Sequence, residues 1–400
     1  MSINKVAVIG GGLMGSGIAQ VGATAGQDVC LIDVSESVLQ RALARASSSL
    51  NRLYAKGTLK ETPDTILKRI GTNTDLAKGV SGADYVIEAV FEDIGLKRQI
   101  ARAVDSNAPG HAILATNTSG LSIAVIAEAT GRPEKVIGMH WSNPPAIMRF
   151  IELIKSKYTD EGTLQCTLEL CKRYEKDPVI ARKDIWFFLA VRARCGLSLE
   201  ACLMYLNKEA GIREIDSTCR YELGMPLGVF EVMDFSGFAD IITRGMKSTE
   251  NILITYPGFE PWPAFLGAFR RVAEELFRPM ADEQLFGVKT GKGFYSYPEG
   301  KYVKPDIPGG SKLDPIELMA PALNVAAWCV THGVGTISDI DKSMKVAFGW
   351  PKGMFDYVDD FGIGRIVSTL KAKQAKAPQP LRGLYEVDPL LVDWKAARLA

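Results

Sequence analysis

The sequence predicts an α/β domain built on a parallel wound sheet, followed by an all-helical part that is internally duplicated. Three observations carry this prediction. Short apolar runs alternate with amphipathic stretches over residues 1–182, longer apolar helical periods dominate from Lys183 onward, and one segment of the helical part recurs at a fixed offset. Alternation of the first kind is typical of a parallel sheet wound by helices.

The candidate strands are short, apolar and separated by amphipathic stretches. In chain order they are KVAVIG, DVCLID, ADYVIEAV, AILATN, KVIGMHW, RFIELI and PVIA. Beyond them, apolar residues recur at helical spacing, as in LSLEACLMYLNKEAG. We therefore predict a first domain over residues 1–182 and two helical domains over residues 183–300 and 301–400.

The helical part matches itself at an offset of 125 residues. The segment from Glu214 to Gly237 aligns with the segment from Asp339 to Gly362, with seven identities that include three glycines and a proline. The identical pairs are Ile215/Ile340, Asp216/Asp341, Gly224/Gly349, Pro226/Pro351, Gly228/Gly353, Phe230/Phe355 and Gly237/Gly362. We predict a duplication; the alternative is two unrelated helical turns that share glycine and proline punctuation.

Length and composition narrow the function classes. A chain of 400 residues exceeds one ordinary core. Its 47 Lys and Arg nearly cancel its 46 Asp and Glu, which leaves no field of one sign to attract nucleic acid or an anionic membrane. The seven cysteines form no CxxC pair and no Cys/His cluster at metal-ligand spacing, so we expect reduced thiols and no metal. The first strand candidate begins at Lys5, which leaves no room for a targeting peptide, and we expect a soluble, cytoplasmic protein.

A glycine-rich turn follows the first strand candidate. GGGLMGSG places Gly10, Gly12 and Gly15 in a GxGxxG pattern that opens a helix, which predicts a Rossmann-type dinucleotide site. The alternative is a glycine-rich turn without a nucleotide. The second strand candidate ends at Asp33, where a carboxylate accepts the adenine ribose hydroxyls and repels a 2′-phosphate. Because no arginine follows it in DVSES, we predict NAD as the cofactor rather than NADP.

A histidine stands at the end of the candidate strand KVIGMH, on the side where ligands bind to wound sheets. A secondary alcohol loses hydride only if a base takes its hydroxyl proton, which suits His140. Glu152, twelve residues later, would hold the other ring nitrogen if NPPAIM turns the chain back. The alternative for His140 is a hydrogen-bonded core histidine.

With GGGLMGSG, VIEAVFEDIGLK, ATNTS and GMHWSNPPAIMRFIELI in this order, residues 5–297 resemble the 3-hydroxyacyl-CoA dehydrogenase family. The family pattern HxxNPxxxMxxxE matches from His140 to Glu152. The resemblance implies that this pair is catalytic, with Ser119 and Asn143 beside the reacting oxygen. The cofactor-binding residues that we predict are Gly10, Gly12, Leu13, Met14, Gly15, Asp33, Ala89, Val90, Glu92, Lys97, Asn117, Ser119 and Asn143. The alternatives are a solvated helix-start pair for Glu92 and Lys97, and an ordinary loop for Asn117 and Ser119.

Two features bear on the substrate. The family reads KDxPGFxxNR where this chain reads KDIWFFLAVR, so that Trp186, Phe187 and Val191 replace the family's Pro, Gly and Asn. Val191 cannot donate to a thioester oxygen, and the aromatic pair favours short acyl chains, although helix core explains it equally well. The predicted substrate-binding residues are Ser119, His140, Asn143, Arg52 and Lys56, the last two from a basic helix, RALARASSSLNRLYAKGTLK, which would meet the CoA phosphates or is simply a solvated face.

The resemblance implies NAD-dependent oxidation of (S)-3-hydroxyacyl-CoA, of which 3-hydroxybutyryl-CoA is the favoured substrate, to 3-oxoacyl-CoA. One alternative is a non-CoA hydroxyacid of the sugar-acid type, which Val191 supports. Another is a dinucleotide-binding structural protein that has lost its chemistry. Single-copy relatives dimerise through their helical domains, so the duplication implies a monomer with an internal pseudo-dimer, or a homodimer. An enoyl-CoA hydratase partner or fused module is a further expectation.

Overall fold

The computed structural model of the chain describes residues 3–249 and 262–394. The chain separates into two compact units, Met1–Phe188 and Leu189–Ala400. The first unit extends past the predicted boundary at residue 182 because Asp184 accepts hydrogen bonds from the Ser122 hydroxyl and the Ala124 N–H, both 2.8 Å long. The predicted boundary at residue 300 stays a prediction.

The first unit contains a wound sheet, which confirms the predicted fold class. Its strands are β1 (Lys5–Ile9), β2 (Asp28–Ile32), β3 (Ile70–Asn73), β4 (Tyr85–Glu88), β5 (Ile113–Thr116), β6 (Val136–Trp141), β7 (Phe150–Ile154) and β8 (Asp177–Ala181). The strand order is β3-β2-β1-β4-β5-β6-β7-β8. Strands β4, β5 and β7 are buried along their whole length, as expected of strands covered on both faces.

One pair of strands departs from the parallel arrangement. Strands β6 and β7 are antiparallel, whereas the other neighbouring pairs are parallel. The connector between them, residues 142–149, is shorter than the roughly dozen residues that a parallel crossover needs. It therefore turns the chain back, and the register sets His140 directly opposite Glu152.

Helices pack on the sheet of the first unit. They are α1 (Leu13–Thr24), α2 (Glu36–Ala55), α3 (Pro63–Leu67), α4 (Leu76–Val80), α5 (Ile94–Asn107), α6 (Ile123–Ala127) and α7 (Glu161–Arg173), with a short turn at Pro133–Lys135. Side chains of Asp93, Ser122 and Asp160 cap α5, α6 and α7 by accepting a backbone N–H of the first turn. Apolar faces of α1 and α2 contribute to the core, with Ile18, Leu39 and Leu50 almost fully buried.

The second unit is helical. Its helices are α8 (Ala190–Leu206), α9 (Ile212–Ser217), α10 (Val229–Ser236), α11 (Phe238–Thr249), α12 (Pro263–Val272), α13 (Arg278–Asp282), α14 (Ile316–Thr331), α15 (Ile337–Phe348), α16 (Asp356–Phe361), α17 (Ile363–Lys376) and α18 (Pro389–Val392). Short helical turns lie at Thr218–Glu222, Ala273–Phe277, Pro298–Gly300 and Gln379–Leu384. In the part of the chain that the structure describes, no helix has the length and apolar character to cross a bilayer.

The duplication is visible in the helix boundaries. Helices α9 and α15 begin 125 residues apart, as do α11 and α17, and α10 and α16 end 125 residues apart. The two copies also touch reciprocally: a Cβ on Gly224 would lie 3.3 Å from Pro351, and a Cβ on Gly349 would lie 3.7 Å from Pro226. Equivalent glycine and proline positions therefore exchange contacts, as expected of two copies related by an approximate two-fold axis.

Candidate active site

The glycine turn between β1 and α1 has the shape that a pyrophosphate requires. Gly10 has φ +109°, and a Cβ there would lie 2.5 Å from the Ala89 carbonyl oxygen. A Cβ on Gly15 would lie 1.8 Å from the Gly10 carbonyl oxygen, so only glycine fits at either position. Gly12 faces open space at the N-terminus of α1, which no side chain caps. The first N–H groups of this helix are therefore available to an anion.

Asp33 follows β2 at the same edge of the sheet and is held by two backbone N–H groups. Its Oδ2 accepts from Gly11 at 2.8 Å and its Oδ1 from Ser35 at 3.1 Å. Each carboxylate oxygen keeps a further acceptor site, which suits the two hydroxyls of an adenine ribose. Together with the glycine turn, Asp33 fits the adenosine end of NAD.

The basic helix α2 does not present its cations as one face. Arg45 donates to the Gly11 carbonyl oxygen at 2.6 Å and to the Ser16 hydroxyl at 3.3 Å, so it braces the glycine turn. Arg52 and Lys56, in the last turn and at the C-cap of α2, are exposed. Their predicted contact with CoA phosphates stays a prediction.

Lys97 and Glu88 form a buried ion pair next to the loop that follows β4. The Lys97 side chain is 1% exposed, and its Nζ lies 2.8 Å from Glu88 Oε1 and 3.5 Å from Glu92 Oε2. Glu88 also accepts from the Thr116 hydroxyl at 2.6 Å and from the Val90 N–H at 2.7 Å. Sequence reasoning missed Glu88, although a carboxylate within the apolar run ADYVIEAV is an available signal.

Glu92 links this ion pair to the loop after β5. Its Oε1 accepts from the Thr118 hydroxyl at 2.6 Å and from the Ser119 N–H at 2.8 Å. Asn117 in the same loop accepts the Trp141 N–H at 2.9 Å through Oδ1, which ties the end of β5 to the end of β6. Ser119 is exposed. The structure thus brings Glu92, Lys97, Asn117 and Ser119 together, and their role at the cofactor stays a prediction.

His140 and Glu152 form a hydrogen-bonded pair across β6 and β7. The His140 Nδ1 lies 3.3 Å from Glu152 Oε2. Glu152 is fully buried, whereas the His140 side chain is 18% exposed, and the Phe188 ring meets its edge at 6.1 Å between centroids. Because the carboxylate engages Nδ1, the imidazole tautomer with its lone pair on Nε2 is favoured. Such a pair is able to take a proton from a ligand through Nε2.

These residues share one edge of the sheet. Strands β1, β2, β4, β5 and β6 run parallel, so the turns that follow them meet at their carboxyl ends. The glycine turn, Asp33, Ser119, His140 and the exposed Asn143 lie on those turns or strand ends. Ligands bind at this edge in wound sheets. Among the described residues there is no group of three or more His, Cys, Asp or Glu that could hold a metal ion.

Family models match nearly the whole chain. The model of the NAD-binding domain of 3-hydroxyacyl-CoA dehydrogenase matches residues 5–185. The model of the C-terminal domain of the same family matches residues 188–297 and 317–398. The second pair of ranges covers both copies of the helical repeat.

Relatives and a solved structure agree with these matches. The mitochondrial hydroxyacyl-coenzyme A dehydrogenase of Sus scrofa is 34% identical over 304 residues, which covers 74% of this chain and 91% of that protein. The 3-hydroxybutyryl-CoA dehydrogenase of Clostridioides difficile is 34% identical over 294 residues, 73% of this chain and 99% of that protein. A crystal structure of 3-hydroxybutyryl-CoA dehydrogenase from Escherichia coli shares the fold over 100% of this chain and 99% of that chain, with a TM-score of 0.81 and 23% identity. The chain therefore belongs to the 3-hydroxyacyl-CoA dehydrogenase family and is an NAD-dependent oxidoreductase that acts on acyl-CoA substrates.

Proposed function

We propose that this enzyme oxidises (S)-3-hydroxybutyryl-CoA to acetoacetyl-CoA, with His140 as the base and Glu152 as its partner. The hydrogen bond between His140 Nδ1 and the fully buried Glu152 carboxylate carries the proposal. A buried carboxylate is costly unless it is paired, and here it is hydrogen-bonded to the ring of a half-buried histidine. That arrangement stabilises a protonated imidazole, which a base needs once it has accepted a proton.

The residues divide the reaction between them. The His140 Nε2 takes the proton of the C3 hydroxyl while the bond between C3 and its hydrogen breaks and a carbonyl forms. Bound NAD supplies the acceptor of the hydride. Glu152 stabilises the imidazolium, and Ser119 and Asn143 donate to the oxygen that becomes the ketone. In the reverse direction, His140 returns the proton to that oxygen.

The glycine turn and the ion pair would hold the cofactor. Gly10, Gly12, Leu13, Met14 and Gly15 surround the uncapped N-terminus of α1, which suits the pyrophosphate. The remaining proposed cofactor residues come from the ends of the neighbouring strands; they are Asp33, Ala89, Val90, Glu92, Lys97, Asn117, Ser119 and Asn143. The fixed positions of Glu92 and Lys97 support a role beside the nicotinamide ribose.

Aromatic side chains support a short acyl chain. The Trp186 and Phe187 rings stack at 4.2 Å, and a Cβ on Gly120, next to Ser119, would lie 3.8 Å and 3.6 Å from them. Phe187 takes φ +66°, a conformation that a non-glycine residue adopts at a cost of about 1–2 kcal/mol. We infer that this aromatic pair, in which Phe187 has a strained backbone, limits the room beside Ser119. The C. difficile relative, named a 3-hydroxybutyryl-CoA dehydrogenase, agrees with this substrate.

The substrate class and the oligomeric state each have an alternative. A non-CoA hydroxyacid rests on Val191, which lies in α8, and on nothing else. The reciprocal contacts between the two helical copies support a functional monomer with an internal pseudo-dimer, which light scattering on the purified chain would test against a homodimer. A cytoplasmic location, CoA binding by Arg52 and Lys56, and an enoyl-CoA hydratase partner stay predictions.

The test is NADH oxidation with acetoacetyl-CoA, run beside free acetoacetate and 3-oxodecanoyl-CoA. We expect turnover of the two thioesters, faster for the short one, and none of acetoacetate. His140→Ala should lower kcat by about 10²- to 10⁴-fold, and Glu152→Gln by at least about 10-fold. The matched control is His111→Ala, which removes an exposed histidine. An inert thioester with intact NADH binding would redirect the search to free hydroxyacids, and faster turnover of the longer thioester would contradict the short-chain proposal.

A further inference from the structure

The side chain of one lysine donates two hydrogen bonds to the connector between the strands of His140 and Glu152. Lys176 lies between α7 and β8, and its Nζ is 2.7 Å from the Pro145 carbonyl oxygen and 2.8 Å from the Met148 carbonyl oxygen. The same Nζ lies 5.7 Å from the centre of the Trp141 ring, one residue after His140. The ammonium thus contacts the beginning, the middle and the end of one short stretch of chain.

The surroundings of Lys176 are unusual for a cation. Burial lowers the pKa of Lys176 to about 8. Within the described residues, no carboxylate lies at ion-pair distance from its Nζ, and the hydrogen bonds that it donates go to the two carbonyl oxygens. Desolvating a cation without a carboxylate partner is unfavourable. Lys176 is half-buried, and its ammonium satisfies two backbone carbonyl groups of the connector that an apolar side chain would leave without a donor.

The connector also packs against α1, the helix that follows the glycine turn. A Cβ on Gly17, in α1, would lie 2.9 Å from Pro145, so the connector rests directly on that helix. On the other side, the Asp177 N–H donates to the Arg149 carbonyl oxygen at 2.8 Å. Asn143 lies inside the connector, His140 just before it and Glu152 just after it. A shift of the connector therefore moves Asn143 relative to the proposed acid-base pair, which the two strands hold.

We propose that Lys176 is a positioning residue, which, through the carbonyl groups of Pro145 and Met148, sets the connector so that His140 and Asn143 meet the substrate oxygen together. This inference rests on the proposed function. The hydrogen bonds that Lys176 donates go to the backbone of the connector, so Lys176 acts on His140 and Asn143 through that backbone. Displacing reacting groups by about 1 Å is sufficient to cost on the order of 10²-fold in rate.

The test compares Lys176→Met, which keeps the bulk of the stem and removes the donors, with Lys176→Arg, which keeps charge and donors. Lys172→Met is the matched control, because Lys172 is an exposed residue in the last turn of α7. In Lys176→Met we expect kcat with acetoacetyl-CoA to fall by about 10- to 100-fold while the Kd for NADH changes by less than about 2-fold. The primary isotope effect with deuterated NADH should rise, and Lys176→Arg should recover part of the loss.

A purely structural role would give a different result. It would lower Tm and the yield of active enzyme, with the isotope effect unchanged, and that outcome would overturn the proposal. A readout independent of turnover separates this failure from failure of the proposed function. Because the chain has three histidines, the ring resonances of His140 can be assigned with His140→Ala. We expect these resonances to shift in Lys176→Met at fixed pH. Unchanged resonances would also contradict the positioning role of Lys176, whether or not acetoacetyl-CoA is turned over.

Discussion

The two copies of the helical repeat share a turn that is held by an aspartate carboxylate, and they differ in the other hydrogen bonds of that carboxylate. In the first copy, Asp216 Oδ1 accepts the Phe230 N–H at 2.9 Å; in the second, Asp341 Oδ1 accepts the Phe355 N–H at 2.8 Å. In each copy a buried or half-buried carboxylate therefore binds the backbone at the start of the next helix. The identities that aligned the two sequences mark this contact.

A glycine allows the carboxylate to approach. A Cβ on Gly228 would lie 2.2 Å from the carboxylate carbon of Asp216, and a Cβ on Gly353 would lie 2.3 Å from that of Asp341. The acid three residues later closes the turn in both copies: Glu231 accepts the Gly228 N–H at 3.0 Å, and Asp356 accepts the Gly353 N–H at 2.7 Å. In each copy, the carboxylate can therefore reach the backbone only because the neighbouring residue is a glycine.

The first copy also shows further hydrogen bonds to the second oxygen of its carboxylate. Asp216 Oδ2 also accepts the Glu231 N–H at 3.0 Å and the Tyr295 hydroxyl at 2.8 Å. Tyr295 belongs to the segment GVKTGKGFYSY, which follows the first copy. The repeated element is therefore the turn with its carboxylate, and in the first copy a tyrosine hydroxyl also donates to that carboxylate.

The largest effect that this comparison predicts comes from filling the glycine positions. Gly228→Ala and Gly353→Ala should each lower the free energy of unfolding by about 2–4 kcal/mol, because the new Cβ would overlap a carboxylate that holds the backbone. Gly364→Ala is the control, since a Cβ there meets nothing within 4 Å. Chemical denaturation of the three variants measures the effect. A large loss in one copy only would show that the two turns are not equivalent.

A second effect is a pH dependence that differs between the copies. Burial raises the pKa of Asp216 to about 7 and that of Asp341 to about 6, from an ordinary value of 3.8. An acid with a raised pKa keeps its proton in the folded state after the unfolded chain has lost it. Its contribution to stability is therefore present at low pH and lost as the pH rises through the folded-state pKa, with a total on the order of 2–4 kcal/mol.

Asn variants isolate these contributions. The stability advantage of the wild type over Asp216→Asn should shrink as the pH rises from about 4 to about 7, and its advantage over Asp341→Asn from about 4 to about 6. Thermal unfolding of the three proteins between these pH values provides the measurement. If both stability advantages are independent of pH, the two carboxyl groups are not protonated in the folded state. The predicted difference in pH dependence between the two copies would then be wrong.

Local pattern predicted most of the fold, because buried parallel strands leave continuous apolar runs. The pattern predicts RFIELI and ADYVIEAV as strands in spite of their carboxylates. Strand β3 was not predicted, because Ile70 is its one buried residue and the strand therefore has no apolar run. Strand order and the antiparallel step at β6 and β7 depend on the length and path of the connector 142–149, which apolar periodicity does not describe.

The site divides in the same way. The family pattern identified His140 and Glu152, and the register of one hairpin brings them together. The partners of Lys97 and Arg45 were not predicted, since Glu88 and the Gly11 carbonyl oxygen are reached only once strands and helices have packed. Basic spacing along α2 looks like a surface feature in the sequence, yet Arg45 turns inward to the glycine turn.

The smallest effect tests the hydrogen bond that Tyr295 donates to the carboxylate of the first copy. Tyr295→Phe removes one hydrogen bond to Asp216 and should lower the free energy of unfolding by about 1 kcal/mol. In a double-mutant cycle, this loss should be non-additive with Asp216→Asn and additive with Asp341→Asn, because the hydroxyl reaches only the first carboxylate. Urea unfolding of the single and double variants gives both coupling energies. Equal coupling to the two carboxylates would mean that Tyr295 stabilises the helical unit as a whole rather than closing the first turn.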